Sequence, residues 1–359
     1  MKKRVLCAMS GGVDSSVSAL LLLEQGYDVL GVTMVLQDNA LLNSDGSGEV
    51  PLSPEVRDAR SVCDRLRIEH LAVDYRELFC EKVIEPFCSS YLAGCTPNPC
   101  IECNKYLKFA ALQKLREDTG CDYVATGHYA RIVWNERTHR FDLRTAEDTS
   151  KDQSYVLYHV SQEHLAHTLF PLGGMTKTEV RARAQAAGFD NAQKAESQDI
   201  CFIPDGDYAA FIQGRTSCAF QPGPIIDENG LVLGEHRGLA YYTIGQRKGL
   251  GVAVGEPLFV LRKEVESNTL VVGRAGATGV TTLHAHDVTV HNEALYCEWV
   301  LVDAKINYRA KRRSARAHVE NGVLNVVFEE PVRSAAPGQA VVLYQQDRVV
   351  AGAVIDETF

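Results

Sequence analysis

Near the start of the chain, the stretch Ala8-Met9-Ser10-Gly11-Gly12-Val13-Asp14-Ser15-Ser16 limits the possible folds more than any other. Residues 4–9 are a short apolar run that ends abruptly. Residues 16–23 are apolar at helical spacing, and Gly26 supplies a stop. Between strand and helix, Gly11 and Gly12 let the backbone turn sharply and come close to an anion. The N–H groups opening the helix then point at that anion, aided by the helix dipole. Ser10, Ser15 and Ser16 can add hydroxyl donors. Asp14 is the odd member, since a carboxylate beside phosphates makes most sense with Mg²⁺ between them. The Gly-Lys-Ser/Thr ending of the Walker A loop is absent.

Strand-like and helix-like segments alternate through the first half, at 29–36, 54–67, 68–74, 106–118 and 122–126. This predicts an α/β domain, a parallel sheet with helices on both faces. Residues 38–53 are rich in Asn, Ser, Gly and Asp and read as a surface loop. Residues 131–144 alternate as a hairpin. A helix from 177 to 187 begins with a Thr176/Glu179 capping box and ends at Gly188. Residues 204–255 are Gly-rich and read as irregular, followed by a hairpin turning at Ser267-Asn268. From residue 288 onward short strands at 300–306, 315–320, 323–328, 340–343 and 348–355 suggest a small antiparallel barrel. The expected domains are 1–203, 204–281 and 282–359.

At 359 residues the chain has room for two or three domains. Lys2-Lys3-Arg4 followed by the leucines at 20–23 could pass for a leader. Gly11, Gly12 and Asp14 interrupt it, however, and no apolar run approaches the roughly 20 residues of a membrane span. A cytoplasmic protein with no membrane partner is expected. Eleven scattered cysteines, an odd number, suggest thiol chemistry or metal rather than a disulfide framework. The net charge of −9 argues against nucleic acid, but residues 304–319 hold Lys305, Arg309, Lys311, Arg312, Arg313 and Arg316 with no acidic residue. Such a patch can hold several phosphates, or be a solvated edge strand.

A second signal is Thr96-Pro97-Asn98-Pro99-Cys100-Ile101-Glu102-Cys103-Asn104-Lys105. Two prolines stiffen a turn expected to present both thiols just before a helix. The helix N-terminus is expected to lower the Cys103 pKa toward reactive thiolate. Half of a zinc site is the structural alternative, with His128 or Cys201 as further ligands. The third signal is Ser197-Gln198-Asp199-Ile200-Cys201-Phe202-Ile203.

The first of these stretches resembles the SGGxDS signature of the PP-loop ATP pyrophosphatases, which cleave ATP to AMP and pyrophosphate. Together with the other two signals, further motifs resemble the tRNA-specific 2-thiouridylases (the MnmA family) over nearly the whole chain. They are Ala125-Thr126-Gly127-His128-Tyr129, Lys151-Asp152-Gln153-Ser154-Tyr155, Gly234-Glu235-His236-Arg237-Gly238 and Thr243-Ile244-Gly245-Gln246-Arg247-Lys248-Gly249-Leu250. The resemblance implies a PP-loop (adenine nucleotide alpha-hydrolase-like) domain, a small central domain and a C-terminal β-barrel. It implies ATP-dependent conversion of the wobble uridine of tRNAs for Lys, Glu and Gln to 2-thiouridine. The uracil 2-oxygen is adenylated, pyrophosphate departs, sulfur attacks the 2-position and AMP leaves. A cysteine desulfurase or sulfur-relay protein would donate the sulfur.

By the same resemblance, Ala8, Met9, Ser10, Gly11, Gly12, Val13, Asp14, Ser15, Met34 and Gly127 surround ATP and its Mg²⁺. Asn98, Pro99 and Cys100 line the target base. His128, Lys151, Asp152, Gln153, Tyr308, Arg309 and Gln339 contact tRNA. Cys201 carries a persulfide, and Cys103 attacks it or releases sulfide through a transient Cys103–Cys201 disulfide. Many family members have Asp where this chain has Cys100. The alternative is that Cys100, Cys103 and Cys201 hold a [4Fe-4S] cluster whose open iron binds the sulfur. Two other classes remain: a PP-loop ligase adenylating a small metabolite, and a non-enzymatic, metal-bearing RNA-binding protein that releases no pyrophosphate.

Overall fold

The structure, a computed structural model, describes residues 2–37, 53–194, 200–216, 219–252, 254–274 and 279–359. The chain forms two compact units. One comprises Met1–Val83, Cys100–Gln198 and Asp347–Val349, and the other Ile84–Pro99, Asp199–Gln346 and Val350–Phe359.

The first unit is built on β1 (Arg4–Ala8), β2 (Asp28–Val35), β3 (His70–Asp74), β4 (Tyr123–Ala125) and β7 (Thr168–Leu169), in the order β3-β2-β1-β4-β7. All four pairings are parallel. Alternation along β1 explains why both faces are covered. Val5 and Cys7 pack with α1 (Val13–Glu24), α2 (Pro54–Leu66) and the helix Lys177–Ala186. Leu6 packs with Leu30, Val32, Val124 and Leu112. Between β4 and β7 the chain makes the hairpin β5 (Ala130–Asn135) and β6 (Arg140–Thr145). The expected capping box forms, with Thr176 accepting from the Glu179 amide and Glu179 reaching back to Thr176.

The helix expected at 106–118 begins earlier. Pro99–Glu102 is an α-turn that runs into a π-helix, Cys103–Ala111, and then α-helix again, Leu112–Asp118. Proline suits a first helical turn, where its missing N–H would have no partner anyway. Cys100 and Cys103 therefore sit inside the helix rather than on a turn ahead of it.

In the second unit, β8 (Gly223–Ile226), β9 (Val232–His236), β10 (Phe259–Glu264) and β11 (Thr269–Gly273) form a sheet of order β10-β11-β8-β9. The stretch 204–255 is thus less irregular than expected. It also carries the helix Tyr208–Thr216, hidden in the sequence by a Gly- and Pro-rich surround. The remaining strands are β12 (Gly279–Val290), β13 (Val300–Lys305), β14 (Arg313–Glu320), β15 (Val323–Arg333), β16 (Ala340–Gln345) and β17 (Arg348–Thr358). They run β12-β15-β14-β13-β16-β17, and β12 pairs with β17 to close an antiparallel barrel around a Val-, Ala- and Leu-rich core. Among the described residues no helix is long and apolar enough to cross a membrane. The expected loop at 38–53 lies, apart from Ser53, outside the described residues, as do Ser197, Gln198 and Asp199.

Candidate active site

The strand order reverses direction between β1 and β4, so the carboxyl ends of these two strands open a crevice of the kind that binds ligands in open α/β sheets. Ala8, Met9 and Ser10 leave β1 there, and Thr126, Gly127 and His128 leave β4. Gly11 takes φ +71°, and a Cβ on it would lie 2.7 Å from the Glu55 carbonyl oxygen, so both conformation and space require glycine. Gly12 is the N-cap of α1 without any side-chain cap, which leaves the opening N–H groups for an anion. The loop is held from behind. Asn191 Nδ2 donates to the Gly11 carbonyl and to Ser16 Oγ, each at 2.9 Å. Thr33 Oγ1 donates to the Met9 carbonyl at 2.7 Å, and Ser15 Oγ accepts from the Ser10 amide at 3.2 Å. Val13 is buried under the loop, and Met34 packs on the face with Leu6. A Cβ on Gly127 would come within 3.0 Å of the Asp14 carbonyl carbon and the Ser15 nitrogen, so β4 ends directly against the start of α1.

Asp14 is not left facing solvent for a metal. Lys177 Nζ donates to its two oxygens at 2.7 and 2.8 Å, and Tyr129 OH donates to Oδ1 at 2.7 Å. The Lys177 side chain is 10% exposed, a nearly buried ammonium at the mouth of the cradle. Sequence reasoning used Lys177 only to start a helix. The signal that could have found it is a lysine on the first turn after a capping box, a position that favours acids over bases.

His128, expected at the RNA, is 6% exposed. Its Nδ1 lies 2.7 Å from Thr126 Oγ1, and its Nε2 lies 3.4 Å from Lys108 Nζ. An ammonium can only donate, so Nε2 accepts and Nδ1 carries the proton. Burial first, then the charges of Lys108 and His159, hold its pKa well below the ordinary value, and the ring is neutral. Asp152 and Gln153, also expected at the RNA, spend their side chains internally. Asp152 accepts from the Ala146 and Ser154 amides, and Gln153 Oε1 accepts from the Tyr129 amide at 2.9 Å. Gln153 thus fixes the backbone of Tyr129, whose hydroxyl reaches Asp14, while Asp152 fixes the turn around Ala146 and Ser154. Lys151 is half-buried on the same turn.

The thiols differ from expectation. Burial pushes the Cys103 pKa up, with Lys108 pulling it down and Cys100 adding to the rise. Cys100 is exposed at its surface, yet the protein packed around it displaces enough water to raise its pKa as well, again opposed by Lys108. Desolvation of the thiolate thus dominates at both cysteines, and Lys108 is the cation that opposes it. In the second unit Cys201 is exposed, beside Phe202, whose ring lies 5.4 Å from that of Phe87. None of the ten described cysteines is joined in a disulfide. Among the described residues no group of three or more His, Cys, Asp or Glu side chains is assembled to hold a metal. Cys100 and Cys103 belong to the first unit and Cys201 to the second.

Asn98 is half-buried and Pro99 buried. They follow Thr96, whose amide donates to the Pro337 carbonyl at 2.8 Å and whose carbonyl accepts from Gln339 Nε2 at 2.7 Å. On the barrel, Tyr308 is 42% exposed with Lys305 Nζ 5.4 Å from its ring, and Arg309 follows on the same loop. Arg312 is spent on the Tyr344 ring at 3.6 Å and on the Gln346 carbonyl.

A parallel sheet with an anion cradle where the strand order reverses defines a nucleotide-binding α/β domain. Consistent with this, residues 3–205 match the family model described as a tRNA methyl transferase HUP domain. Residues 210–274 match a tRNA methyl transferase PRC-barrel domain, and 280–355 an aminomethyltransferase beta-barrel domain. The chain is 44% identical to the tRNA-specific 2-thiouridylase MnmA of Acetivibrio thermocellus over 99% of both chains. It is 47% identical to that of Moorella thermoacetica over 98% of this chain and 99% of the relative. The figure for Carboxydothermus hydrogenoformans is 45%, over 99% and 98%. The chain belongs to the tRNA-specific 2-thiouridylase (MnmA) family.

Proposed function

We propose that the protein converts the wobble uridine of tRNAs for Lys, Glu and Gln to 2-thiouridine at the expense of ATP. The observation that carries this reading is the Gly127–His128 turn. It abuts the nucleotide cradle through Gly127, and through His128 it meets Lys108, the cation acting on Cys100 and Cys103. Nucleotide activation and thiol chemistry thus share one turn. A small-metabolite ligase has no use for that thiol pair. The relatives that match over nearly their full length are tRNA-specific 2-thiouridylases, which favours thiolation over methyl transfer.

ATP lies with its phosphates on the α1 N-terminus, between Gly11, Gly12 and Ser15, and its base toward Met34 and Gly127. Asp14 would hold the Mg²⁺ that accompanies ATP, which would neutralise phosphate charge there, and the Lys177 ammonium beside it is within reach of the phosphates. The uracil 2-oxygen attacks the α-phosphorus and pyrophosphate leaves, its charge met by Lys177 and the helix N–H groups. The outer sulfur of a Cys201 persulfide then attacks C2 and AMP departs with the former 2-oxygen. Cys103 thiolate attacks the Cys201 sulfur, forming a disulfide and freeing the C2=S group. An external thiol reductant restores both cysteines. Cys100 stands beside the base with Asn98 and Pro99. Residues 1–203 perform the chemistry, while 204–281 and 282–359 hold the tRNA, with Tyr308, Arg309 and Gln339 among the contacts. A cysteine desulfurase or relay protein loads Cys201.

The test incubates the full chain with unmodified tRNA, ATP, Mg²⁺ and a persulfide donor, followed by nucleoside chromatography. 2-Thiouridine formed together with pyrophosphate is expected. A methylated nucleoside, or pyrophosphate release with a small acceptor and no tRNA, would refute the reading.

A further inference from the structure

The Thr243–Leu250 motif has no role in the chemistry above, yet the second unit fixes it tightly. Gln246 closes the turn from both sides, accepting from the Thr243 amide at 3.0 Å and donating to the Lys248 carbonyl at 2.9 Å. The Gly245 amide donates to the Val260 carbonyl, and the Val260 amide to the Gln246 carbonyl, which ties the turn to β10. Gly245 and Gly249 hold φ +83° and +76°, where other residues are strained. At the tip Arg247 and Lys248 are exposed, and neither side chain bonds or pairs with any described residue. Arg237 nearby in sequence is different, stacked 3.9 Å from the Tyr241 ring. A rigid turn that spends a side chain and two left-handed glycines to hold two free cations outward is built for an anion.

The position of the turn says which anion. A Cβ on Gly245 would lie 2.1 Å from Ser334 Oγ, so the turn rests against residue 334. From there residues 334–339 run to the Thr96 contacts of Pro337 and Gln339, immediately before Asn98 and Pro99. We propose that Arg247 and Lys248 bind backbone phosphates of the tRNA anticodon stem-loop whose uridine is presented at Asn98 and Pro99. This rests on the tRNA reading above. The contacts are to phosphate, so they position the loop without reading its sequence.

The test measures affinity of full-length protein for unmodified tRNA by fluorescence anisotropy between about 50 and 200 mM salt. In Arg247→Ala/Lys248→Ala, binding at the low end should weaken about ten- to a hundredfold. The slope of log K against log salt should become shallower by about two, one per lost cation. Arg247→Lys/Lys248→Arg should restore both. An isolated anticodon stem-loop should show the same loss. Unchanged affinity and slope in a double variant that melts like wild type would overturn the proposal and leave the turn to a protein partner. A loss seen with whole tRNA but not with the stem-loop would overturn its placement beside the target base. If the wild-type chain itself does not bind tRNA, the functional reading falls, and this proposal with it.

Discussion

Lys177→Met removes an ammonium and keeps most of the stem. In the resting protein Lys177 Nζ sits 2.7 and 2.8 Å from the Asp14 oxygens, with side-chain exposures of 10% and 31%. Breaking a fully buried pair costs about 3–5 kcal/mol, but Asp14 keeps partial water access. Asp14 also keeps the Tyr129 hydrogen bond at 2.7 Å. The expected loss of stability is therefore smaller, about 1–2 kcal/mol. The nucleotide should feel the change more. A charge-assisted contact to phosphate contributes about 1.5–3 kcal/mol, so kcat/KM for ATP should fall about 10- to 150-fold. Pyrophosphate release at saturating tRNA, across a range of ATP concentrations, measures it. Tyr129→Phe, which loses one bond to Asp14 and leaves the ammonium, should fall less than about tenfold. A Lys177→Met protein with lowered melting temperature and unchanged kcat/KM would refute the reasoning, since the pair would then be purely structural.

Gly127→Ala places a methyl 3.0 Å from two backbone atoms of α1, so ATP KM should rise several-fold in steady-state kinetics while the fold persists. His128 is held neutral in the folded state and takes a proton when unfolded. Stability should therefore fall as pH drops below about 6.5, by up to about 1.4 kcal/mol per pH unit. His70 and His164 are lowered too and act in the same direction. His128→Gln should remove one proton's share of the slope in urea melts across pH, whatever it does to stability at pH 7. Lys263, lowered to about 8 by burial, should react with an amine reagent with a midpoint about two and a half pH units below ordinary lysines, read by mass spectrometry.

The nucleotide domain was largely legible because its signals are local. An apolar run, two glycines and an amphipathic helix dictate a strand, a tight turn and an anion-facing N-terminus. β1, α1, α2 and the capped helix at Lys177 form where the pattern places them. The thiols were harder to read. Helix position alone predicts a lowered Cys103 pKa, but burial depends on tertiary packing that no spacing encodes, and it reverses the direction. Lys108 was missed for a similar reason. Its partners Cys103 and His128 lie five and twenty residues away, and only the wide π-turn and the end of β4 gather them. Lys177 and Asp14, 163 residues apart, meet because α1 and the later helix cover one face of the sheet. The helix Tyr208–Thr216 and β8 were hidden by glycines and prolines that mark the turns around them rather than an unstructured stretch.

In this mechanism the uracil 2-oxygen is activated on the nucleotide before sulfur replaces it. The most direct measurement uses tRNA carrying ¹⁸O at the 2-position of the wobble uridine, a single turnover with ATP and persulfide donor, and mass spectrometry of the AMP. The mechanism predicts one ¹⁸O in the AMP phosphate for each 2-thiouridine formed. AMP free of ¹⁸O beside thiolated tRNA would contradict it, because the oxygen would then have left without ever being joined to the nucleotide.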